Sequence, residues 1–285
     1  MRSEPEGRSH PVDVDPITSG VRRALLRTSD DVRIEAIYQP GRGTRAGRET
    51  GRTPAIVVAH GFTGSADRPA VRRAAAAFAA HAAVVTFSFR GHGRSGGRST
   101  VGDREVLDLA AAVEWARALG HHRVATVGFS MGGSVALRHA ALYSAARGGR
   151  TEARTDAVAS VSAPARWYYR GTPQMRRVHW VISRPLGRAV GRYGLRTRIQ
   201  RREWDPVPLS PVEAVPLIAP TPLLIVHGDR DRYFPLDHPR SLAAAGPAEL
   251  WLEPGMGHAE NAAPGPLLER LADWLADRAA RSDGS

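Results

Sequence analysis

The sequence predicts an α/β fold in which helices cover both faces of a mostly parallel sheet of eight strands. Short apolar runs, rich in β-branched residues and typical of buried strands, recur along the 285 residues. Helical patterns separate most of these runs, and alternation of this kind implies a parallel sheet. A hydrophobic content of 42% is sufficient for a large packed core.

The elements follow one another in a regular order. The first two strands form a hairpin, and most later strands are followed by a helix. The predicted strands are Arg22–Thr28, Val32–Tyr38, Ala55–Ala59, Ala82–Phe89, Val124–Val127, Ala157–Val161, Leu223–Val226 and Ala248–Leu252. The predicted helices are Asp67–Ala80, Asp103–Leu119, Ser134–Leu142, Leu236–Ala245 and a last one with Leu267, Leu268, Leu271, Trp274 and Leu275 on one face.

The alternation stops between about residues 164 and 216. This stretch contains six aromatic residues and eleven arginines against three acidic residues, and no strand pattern occurs in it. We therefore expect a flexible tail at residues 1–20 and one domain over 21–285, with a small helical cap inserted at about 164–216. The arginines have two interpretations. They form a solvated basic face, or they attract an anionic substrate or surface while the aromatic residues line an acyl pocket.

Composition excludes several classes of function. The chain has no cysteine, so disulfides, thiolate metal sites and a cysteine nucleophile are excluded. All 40 basic residues are arginine, and the formal net charge is +12. Exclusive use of arginine is typical of a GC-rich genome, and no aromatic residues interleave with it in a nucleic-acid-binding motif. We therefore expect no nucleic-acid partner.

The sequence gives no sign of a membrane or secretory segment. Residues 1–10 are polar and lack the apolar core of a signal peptide. No apolar run approaches the ~18–20 residues that span a membrane. The expectation is a cytoplasmic protein without an integral membrane segment.

The most informative motif is Gly128-Phe129-Ser130-Met131-Gly132. It lies between a buried strand pattern and a helical one, and strand, sharp turn and helix are the context of a nucleophile elbow. The turn strains the backbone of Ser130, and the glycines on either side let neighbouring backbones approach. The N–H of Met131 should point into the same space as the Ser130 hydroxyl.

A serine nucleophile needs a base, a carboxylate that orients the base, and N–H donors for the oxyanion. Candidates occur where strands end, and these ends converge on one crevice in a parallel sheet. Asp229 and Asp231 follow the strand Leu223–Val226, and His258 follows the last strand. The order along the chain is Ser, Asp, His.

Rivals exist for the acid and the base. Asp229 competes with Asp231, although the His-Gly-x-x-Asp pattern favours Asp231, and Asp229 is better suited to stabilising its own turn. His258 is favoured as the base because it alone follows the last strand. Four other histidines compete with it: His60, His92, His227 and His238.

The segment Gly91-His92-Gly93-Arg94-Ser95-Gly96 matches the G-x-G-x-x-G pattern of dinucleotide-binding folds. That fingerprint requires a helix to open directly from the loop after the first strand. Here the loop follows the fourth strand, and the next helix begins near Asp103. We therefore interpret the segment as a tight loop beside the site.

Several of these segments together resemble the α/β-hydrolase superfamily, in particular its lysophospholipase-like and serine-aminopeptidase-like esterase branch. The resemblance runs from about Pro54 to the last helix. Its marks are His60-Gly61-Phe62, Arg90-Gly91-His92-Gly93-Arg94-Ser95, Gly128-Phe129-Ser130-Met131-Gly132-Gly133, His227-Gly228-Asp229-Arg230-Asp231 and Gly257-His258. It implies an α/β-hydrolase fold with a catalytic triad of Ser130, Asp231 and His258. It also implies an oxyanion hole formed by the backbone N–H groups of Phe62 and Met131.

The expected function is that of a serine hydrolase that cleaves a carboxylic ester of a small-molecule acyl substrate through an acyl-enzyme. No metal or organic cofactor is implied, and the oligomeric state is left open. A thioesterase or acyltransferase would use the same residues. A peptidase for N-terminal residues would want an acidic cap, whereas this cap is basic. The alternative of another class is a non-catalytic binding protein on the same fold.

Overall fold

The structure is a computed structural model that describes residues 20–42, 53–148 and 150–281. The predicted tail at residues 1–20 lies outside this range, apart from Gly20. The strands are β1 (Arg22–Arg27), β2 (Arg33–Gln39), β3 (Ala55–Ala59), β4 (Ala83–Phe87), β5 (Val124–Phe129), β6 (Ala157–Val161), β7 (Leu223–Gly228) and β8 (Glu249–Glu253).

These strands form one sheet in the order β1-β2-β4-β3-β5-β6-β7-β8. The hairpin β1–β2 is antiparallel and pairs antiparallel with β4, and all other neighbours in the sheet are parallel. The predicted eight-stranded, mostly parallel sheet is therefore confirmed. The C-terminal ends of β3, β5, β7 and β8 lie on one edge, and the loops that follow them carry the candidate site residues.

Two apolar cores explain why the central strands are continuously apolar. Alternate side chains of a strand point to opposite faces, so a strand covered on both sides must be apolar at every position. In β3, Val57 packs into the core on one face of the sheet, while Ile56 and Val58 pack into the core on the other.

Five of the described helices lie close to the predicted spans, and the other four had no predicted span. The described helices are α1 (Pro69–Phe78), α2 (Glu105–Ala118), α3 (Met131–Leu142), α4 (Pro173–Ser183), α5 (Pro185–Tyr193), α6 (Pro211–Ala214), α7 (Asp237–Ala244), α8 (Ala259–Ala262) and α9 (Gly265–Ala280). Within the described residues, no helix combines the length and the apolar character needed to cross a membrane.

Residues 164–216 contribute three of these helices, and each of the three begins at a proline. Proline suits the first helical position because its fixed φ fits the helix and its missing N–H would have no partner there. Thr172 caps α4 by accepting a hydrogen bond from the N–H of Met175 at 3.3 Å. Ser210 and Glu213 form a capping box on α6.

A buried ion pair ties the loop after β4 to α2. The guanidinium of Arg90 donates to Asp108 at 2.8 Å and to Asp30 at 2.7 Å. Arg90 and Asp108 are both buried, so helix α2 carries a charged side chain inward beside the apolar face that its pattern predicts. Each buried charge has a partner, which burial of this kind requires. The pair fixes the loop that carries His92.

Buried neutral histidines should make the fold sensitive to acid. Burial lowers the pKa of His139 to about 3, whereas an unfolded chain has a histidine pKa of about 6.5. Between these two values the unfolded state binds a proton that the native state does not, so the free energy of unfolding falls as the pH falls. One such group contributes about 1.4 kcal/mol per pH unit.

We expect His139→Leu to reduce the slope of unfolding free energy against pH by about that amount between roughly pH 4 and 6. Urea unfolding at a series of pH values measures the slope. The matched control is His122→Leu, which removes an exposed imidazole and should leave the slope unchanged. An unchanged slope for His139→Leu would contradict the prediction that burial keeps this ring neutral.

Candidate active site

Ser130 lies at the sharp turn between β5 and α3 with φ 53° and ψ −115°. A positive φ is strained for a residue with a Cβ, and the packing around the turn holds it in place. The N–H of Ser130 donates to the carbonyl of Val161 in β6 at 2.8 Å. A Cβ on Gly128 would overlap the carbonyl of Gly132, and a Cβ on Gly132 would overlap the carbonyl of Ala59. These two glycines therefore let the strand, the helix and the neighbouring loop close around Ser130.

Ser130, His258 and Asp231 form a continuous line of hydrogen bonds. His258 Nε2 lies 2.8 Å from Ser130 Oγ, and His258 Nδ1 lies 2.7 Å from Asp231 Oδ2. The other carboxylate oxygen of Asp231 accepts the backbone N–H groups of Tyr233 at 2.7 Å and Phe234 at 3.1 Å. The structure thus brings together three side chains from loops that follow β5, β7 and β8.

The environment of Asp231 keeps its carboxyl ionised. Burial raises the pKa, but the hydrogen bond and charge of His258, together with the backbone N–H of Tyr233, outweigh it, and the net pKa is lowered. The imidazole of His258 is held from the side as well. The ring of Tyr233 stacks on it with centroids 4.2 Å apart, and Phe234 meets it edge-on at 5.6 Å. The sequence interpretation gave these two aromatic residues no role, although they lie two and three positions after the acid.

Asp229, the rival acid, is exposed and accepts the N–H of Gly255 at 2.7 Å. It therefore stabilises the turn after β8, rather than its own turn as the sequence suggested.

The four rival histidines, His60, His92, His227 and His238, are buried, and each one hydrogen-bonds to the backbone. His227 also lies 3.5 Å from Asp231, behind the carboxylate. In the described chain, His258 is the histidine placed against the Ser130 hydroxyl.

The predicted oxyanion donors flank the same space. Met131 is the first residue of α3, so its N–H has no acceptor within the helix. Phe62 lies in the loop after β3, and both residues line one cavity with Ser130. Two backbone contacts fix this loop. Gly61 N–H donates to the carboxylate of Glu260 at 3.0 Å, and Thr63 N–H donates to His92 Nε2 at 3.3 Å.

Glu260 is a residue that the sequence interpretation missed. It is buried two positions after His258, so α8 connects the base to the loop that carries Phe62. His92 has the corresponding role from the other side, since its Nδ1 donates to the carbonyl of Arg90 while Nε2 accepts from Thr63. Burial lowers the pKa of His92, which agrees with a neutral ring that donates and accepts at once.

The cavity that holds Ser130 has a volume of about 730 Å³. Four of the six aromatic residues of the 164–216 segment line it: Trp167, Tyr168, Tyr169 and Trp204. Aliphatic side chains of α4 and the following segment complete its apolar wall. Six arginines also line it: Arg166, Arg170, Arg177, Arg188, Arg201 and Arg202. A concave, mostly apolar space with a few polar groups is typical of a small-molecule site.

A comparison with models of known protein families identifies the family of this chain. Residues 56–278 match the model of the alpha/beta hydrolase family, a span that covers most of the 285 residues. The chain belongs to the alpha/beta hydrolase family. This result confirms the predicted superfamily and the predicted fold class. The assignment to a lysophospholipase-like or serine-aminopeptidase-like branch stays a prediction.

Relatives of this alpha/beta hydrolase include named esterases. Esterase LipC of Mycobacterium tuberculosis is 28% identical in an alignment 193 residues long that covers 60% of this chain and 46% of that protein. The match thus spans less than half of the relative's length. The structure of esterase Pf2001 from Pyrococcus furiosus superimposes with a TM-score of 0.67 at 21% identity, covering 94% of this chain and 92% of that one.

A third similar structure is Est1E from Butyrivibrio proteoclasticus with ferulic acid bound. Its TM-score is 0.59 at 19% identity, covering 89% of this chain and 97% of that one. At this identity the likeness shows the fold alone.

The glycine-rich segment Gly91–Gly96 forms a tight loop, closed by a hydrogen bond from Gly91 N–H to the Gly96 carbonyl at 2.8 Å. Helix α2 begins well beyond it, at Glu105.

Proposed function

We propose that this alpha/beta hydrolase cleaves a carboxylic ester through an acyl-enzyme formed on Ser130. The observation that carries the proposal is the continuous hydrogen-bonded line from Ser130 to His258 to Asp231, which opens into an apolar cavity of about 730 Å³. The similarity to proteins named as esterases supports it.

In the first step, Ser130 Oγ attacks the ester carbonyl carbon while its proton passes to His258 Nε2. The π electrons of the C=O bond move onto the carbonyl oxygen. The backbone N–H groups of Phe62 and Met131 would donate hydrogen bonds to the oxyanion that forms. Asp231 accepts the Nδ1–H of His258, which leaves Nε2 free as the base and stabilises the imidazolium that forms.

The oxyanion then collapses, and the bond to the leaving alcohol breaks as His258 Nε2 returns the proton to the alkoxide oxygen. A water molecule attacks the acyl-enzyme with the same nitrogen as its base. A second tetrahedral intermediate expels Ser130 Oγ, which recovers its proton, and the carboxylic acid leaves.

The alternative functions differ from an esterase in the leaving group, in the molecule that accepts the acyl group, or in forming no acyl-enzyme. A thioesterase uses the same atoms on a better leaving group, and an acyltransferase uses an alcohol or amine in place of water. A peptidase for free N-termini would need acidic groups that hold an ammonium. Six arginines line the cavity against two acids, Glu203 and Glu260, and the carboxylate of Glu260 already accepts the N–H of Gly61. A non-catalytic binding protein forms no acyl-enzyme.

The deciding experiment is labelling with a fluorophosphonate probe, followed by turnover of p-nitrophenyl esters and acyl thioesters of increasing chain length. We expect labelling of Ser130 and faster release from esters than from matched thioesters. Faster thioester release, or transfer to an added alcohol in preference to water, would replace the esterase proposal by the thioesterase or the acyltransferase. Absence of both label and turnover would leave a binding protein.

The arginines of the cavity lead to a prediction about the substrate's charge. Arg177 lines the cavity, whereas the neighbouring Arg176 donates to the backbone carbonyls of Arg170 and Gly171. We expect kcat/KM for an anionic ester to fall as salt is added, because the screening length shrinks from about 30 Å at low salt to about 8 Å at physiological ionic strength. A matched neutral ester should show no such fall.

Arg177→Gln should flatten this salt dependence, and Arg176→Gln serves as the control with the same change in charge. Steady-state kinetics with both esters over a salt series measures the effect. Equal salt curves for the two esters, or equal effects of the two variants, would assign the arginines to the solvated basic face that the sequence left open.

A further inference from the structure

Helix α5 buries its glycines and exposes its large apolar side chains. Gly187 and Gly191 are buried, whereas Leu186 is 68% exposed, Val190 43% and Tyr193 78%. The spacing of the exposed positions, four and then three residues, places them on one face of the helix. A helix on the surface of a soluble domain normally has the opposite arrangement, so this face is built to contact something other than water.

The apolar face continues onto α4. Trp180 is 42% exposed, and its carbonyl lies so close to Gly187 that a Cβ there would overlap it. The backbones of the two helices therefore meet in direct contact at Gly187, the residue after the exposed Leu186, and Trp180 is the exposed large apolar residue of α4. We call Trp180, Leu186, Val190 and Tyr193 the apolar stripe.

The segment that carries this stripe is charged with one sign only. Residues 167–202 contain ten arginines and no aspartate or glutamate. Arg184, Arg192 and Arg196 are exposed and lie outside the lining of the cavity. The guanidinium of Arg192 lies 5.5 Å from the ring of Tyr193. Tryptophan, tyrosine and aliphatic side chains edged by arginine are the composition of a helix that lies in a lipid–water interface.

We propose that the apolar stripe and its flanking arginines dock the protein onto the surface of an anionic lipid membrane. Anionic head groups complement the arginines, and the acyl boundary accepts the exposed apolar side chains. A second copy of this chain is a poorer occupant, because a twofold interface would set the same arginine-rich face against itself. The inference goes beyond the proposed reaction and does not depend on it.

Docking in this orientation has a consequence for the site. The side of α4 and α5 away from the stripe contributes Val181, Ile182 and Arg188 to the cavity that holds Ser130. The same two helices thus separate the cavity from the docked surface. Docking would therefore bring the α4–α5 wall of the cavity next to the lipid layer.

Vesicle sedimentation tests the proposal. The vesicles are neutral phosphatidylcholine, alone or mixed with anionic phosphatidylglycerol, and all proteins carry Ser130→Ala so that hydrolysis cannot alter the lipid. One variant replaces Trp180, Leu186 and Tyr193 by serine. A second replaces Arg184, Arg192 and Arg196 by glutamine. The charge control replaces three exposed arginines elsewhere by glutamine: Arg22, Arg33 and Arg72.

We expect the parent protein to bind the anionic vesicles and to be released by added salt. Each arginine at an anionic surface strengthens partitioning about fivefold, so the second variant should bind about a hundredfold more weakly. The serine variant should also lose binding, whereas the charge control should keep most of it. Because all replaced side chains are exposed, turnover of a soluble ester by the Ser130 forms of these variants serves as the check that they fold.

Two results would overturn the proposal. One is equal vesicle binding by the parent, the serine variant and the arginine variant. The other is light scattering that shows a dimer, lost in the serine variant, together with no vesicle binding by the parent protein. That second result would assign the stripe to a contact between two copies of the chain. Absence of ester hydrolysis by the parent protein with Ser130 intact would count against the proposed function and leave the docking proposal unaffected.

Discussion

Ser130→Ala should abolish both ester hydrolysis and fluorophosphonate labelling while leaving the protein folded. The substitution removes the oxygen that lies 2.8 Å from His258 Nε2 and that would form the acyl bond. Loss of the nucleophile of a serine–histidine–aspartate site lowers kcat by on the order of 10⁴–10⁶. Steady-state turnover of a p-nitrophenyl ester, together with mass spectrometry of the labelled protein, measures both effects.

A neighbouring serine provides the control. Ser134 lies one turn further along α3, is buried and lines the same cavity, so Ser134→Ala removes a second hydroxyl of the cavity while the nucleophile stays in place. It should retain labelling and most of the turnover. Thermal unfolding should give similar midpoints for both variants, since alanine at residue 130 keeps the strained backbone and removes only one hydroxyl. Full turnover by Ser130→Ala would end the acyl-enzyme proposal.

The central sheet could be predicted because local pattern and final environment agree there. Strands such as Ala55–Ala59 and Val124–Phe129 are buried on both faces, so every residue in them is small or apolar, and the runs stand out in the sequence. Helix α2 was placed within two residues at its start and one at its end because Val106, Leu109, Val113 and Ala116 recur at helical spacing, and all four are buried.

The helices of the 164–216 segment could not be placed from such a pattern. In α5 the inward positions are Gly187 and Gly191, and the large apolar residues face outward. A rule that turns apolar residues toward the core would assign this helix the wrong face. Close packing of α5 against α4 at Gly187 depends on a tertiary contact that the sequence does not encode locally.

The candidate site divides in the same way. Ser130, Asp231 and His258 could be named because each follows a strand, and parallel strands end at one edge. The contacts that hold them could not be named. Glu260 meets Gly61 across 199 positions of sequence, and Tyr233 reaches the His258 ring only because β7 and β8 are neighbours in the sheet. The catalytic roles of the three residues stay a prediction that the variants test.

Asp231→Asn should lower kcat by about 10⁴, as loss of the orienting carboxylate does in such a site. The mechanism follows from the backbone around residue 231. The N–H groups of Tyr233 and Phe234 point at one carboxylate oxygen, so an asparagine would place its amide oxygen there and turn its NH₂ toward His258. Nδ1 of His258 would then have to accept a hydrogen bond, and the proton would move to Nε2. In that tautomer Nε2 cannot take the proton of Ser130.

Asp229→Asn is the matched control, because it makes the same chemical change two residues away. An asparagine oxygen can still accept the N–H of Gly255, and the side chain is exposed, so activity should be retained with little change in stability. Turnover and thermal unfolding of both variants decide between the two carboxylates. If Asp229→Asn loses activity and Asp231→Asn keeps it, the acid is misassigned, and the 2.7 Å contact between His258 and Asp231 has no catalytic role. Comparable losses in both variants would instead point to the loop as a whole.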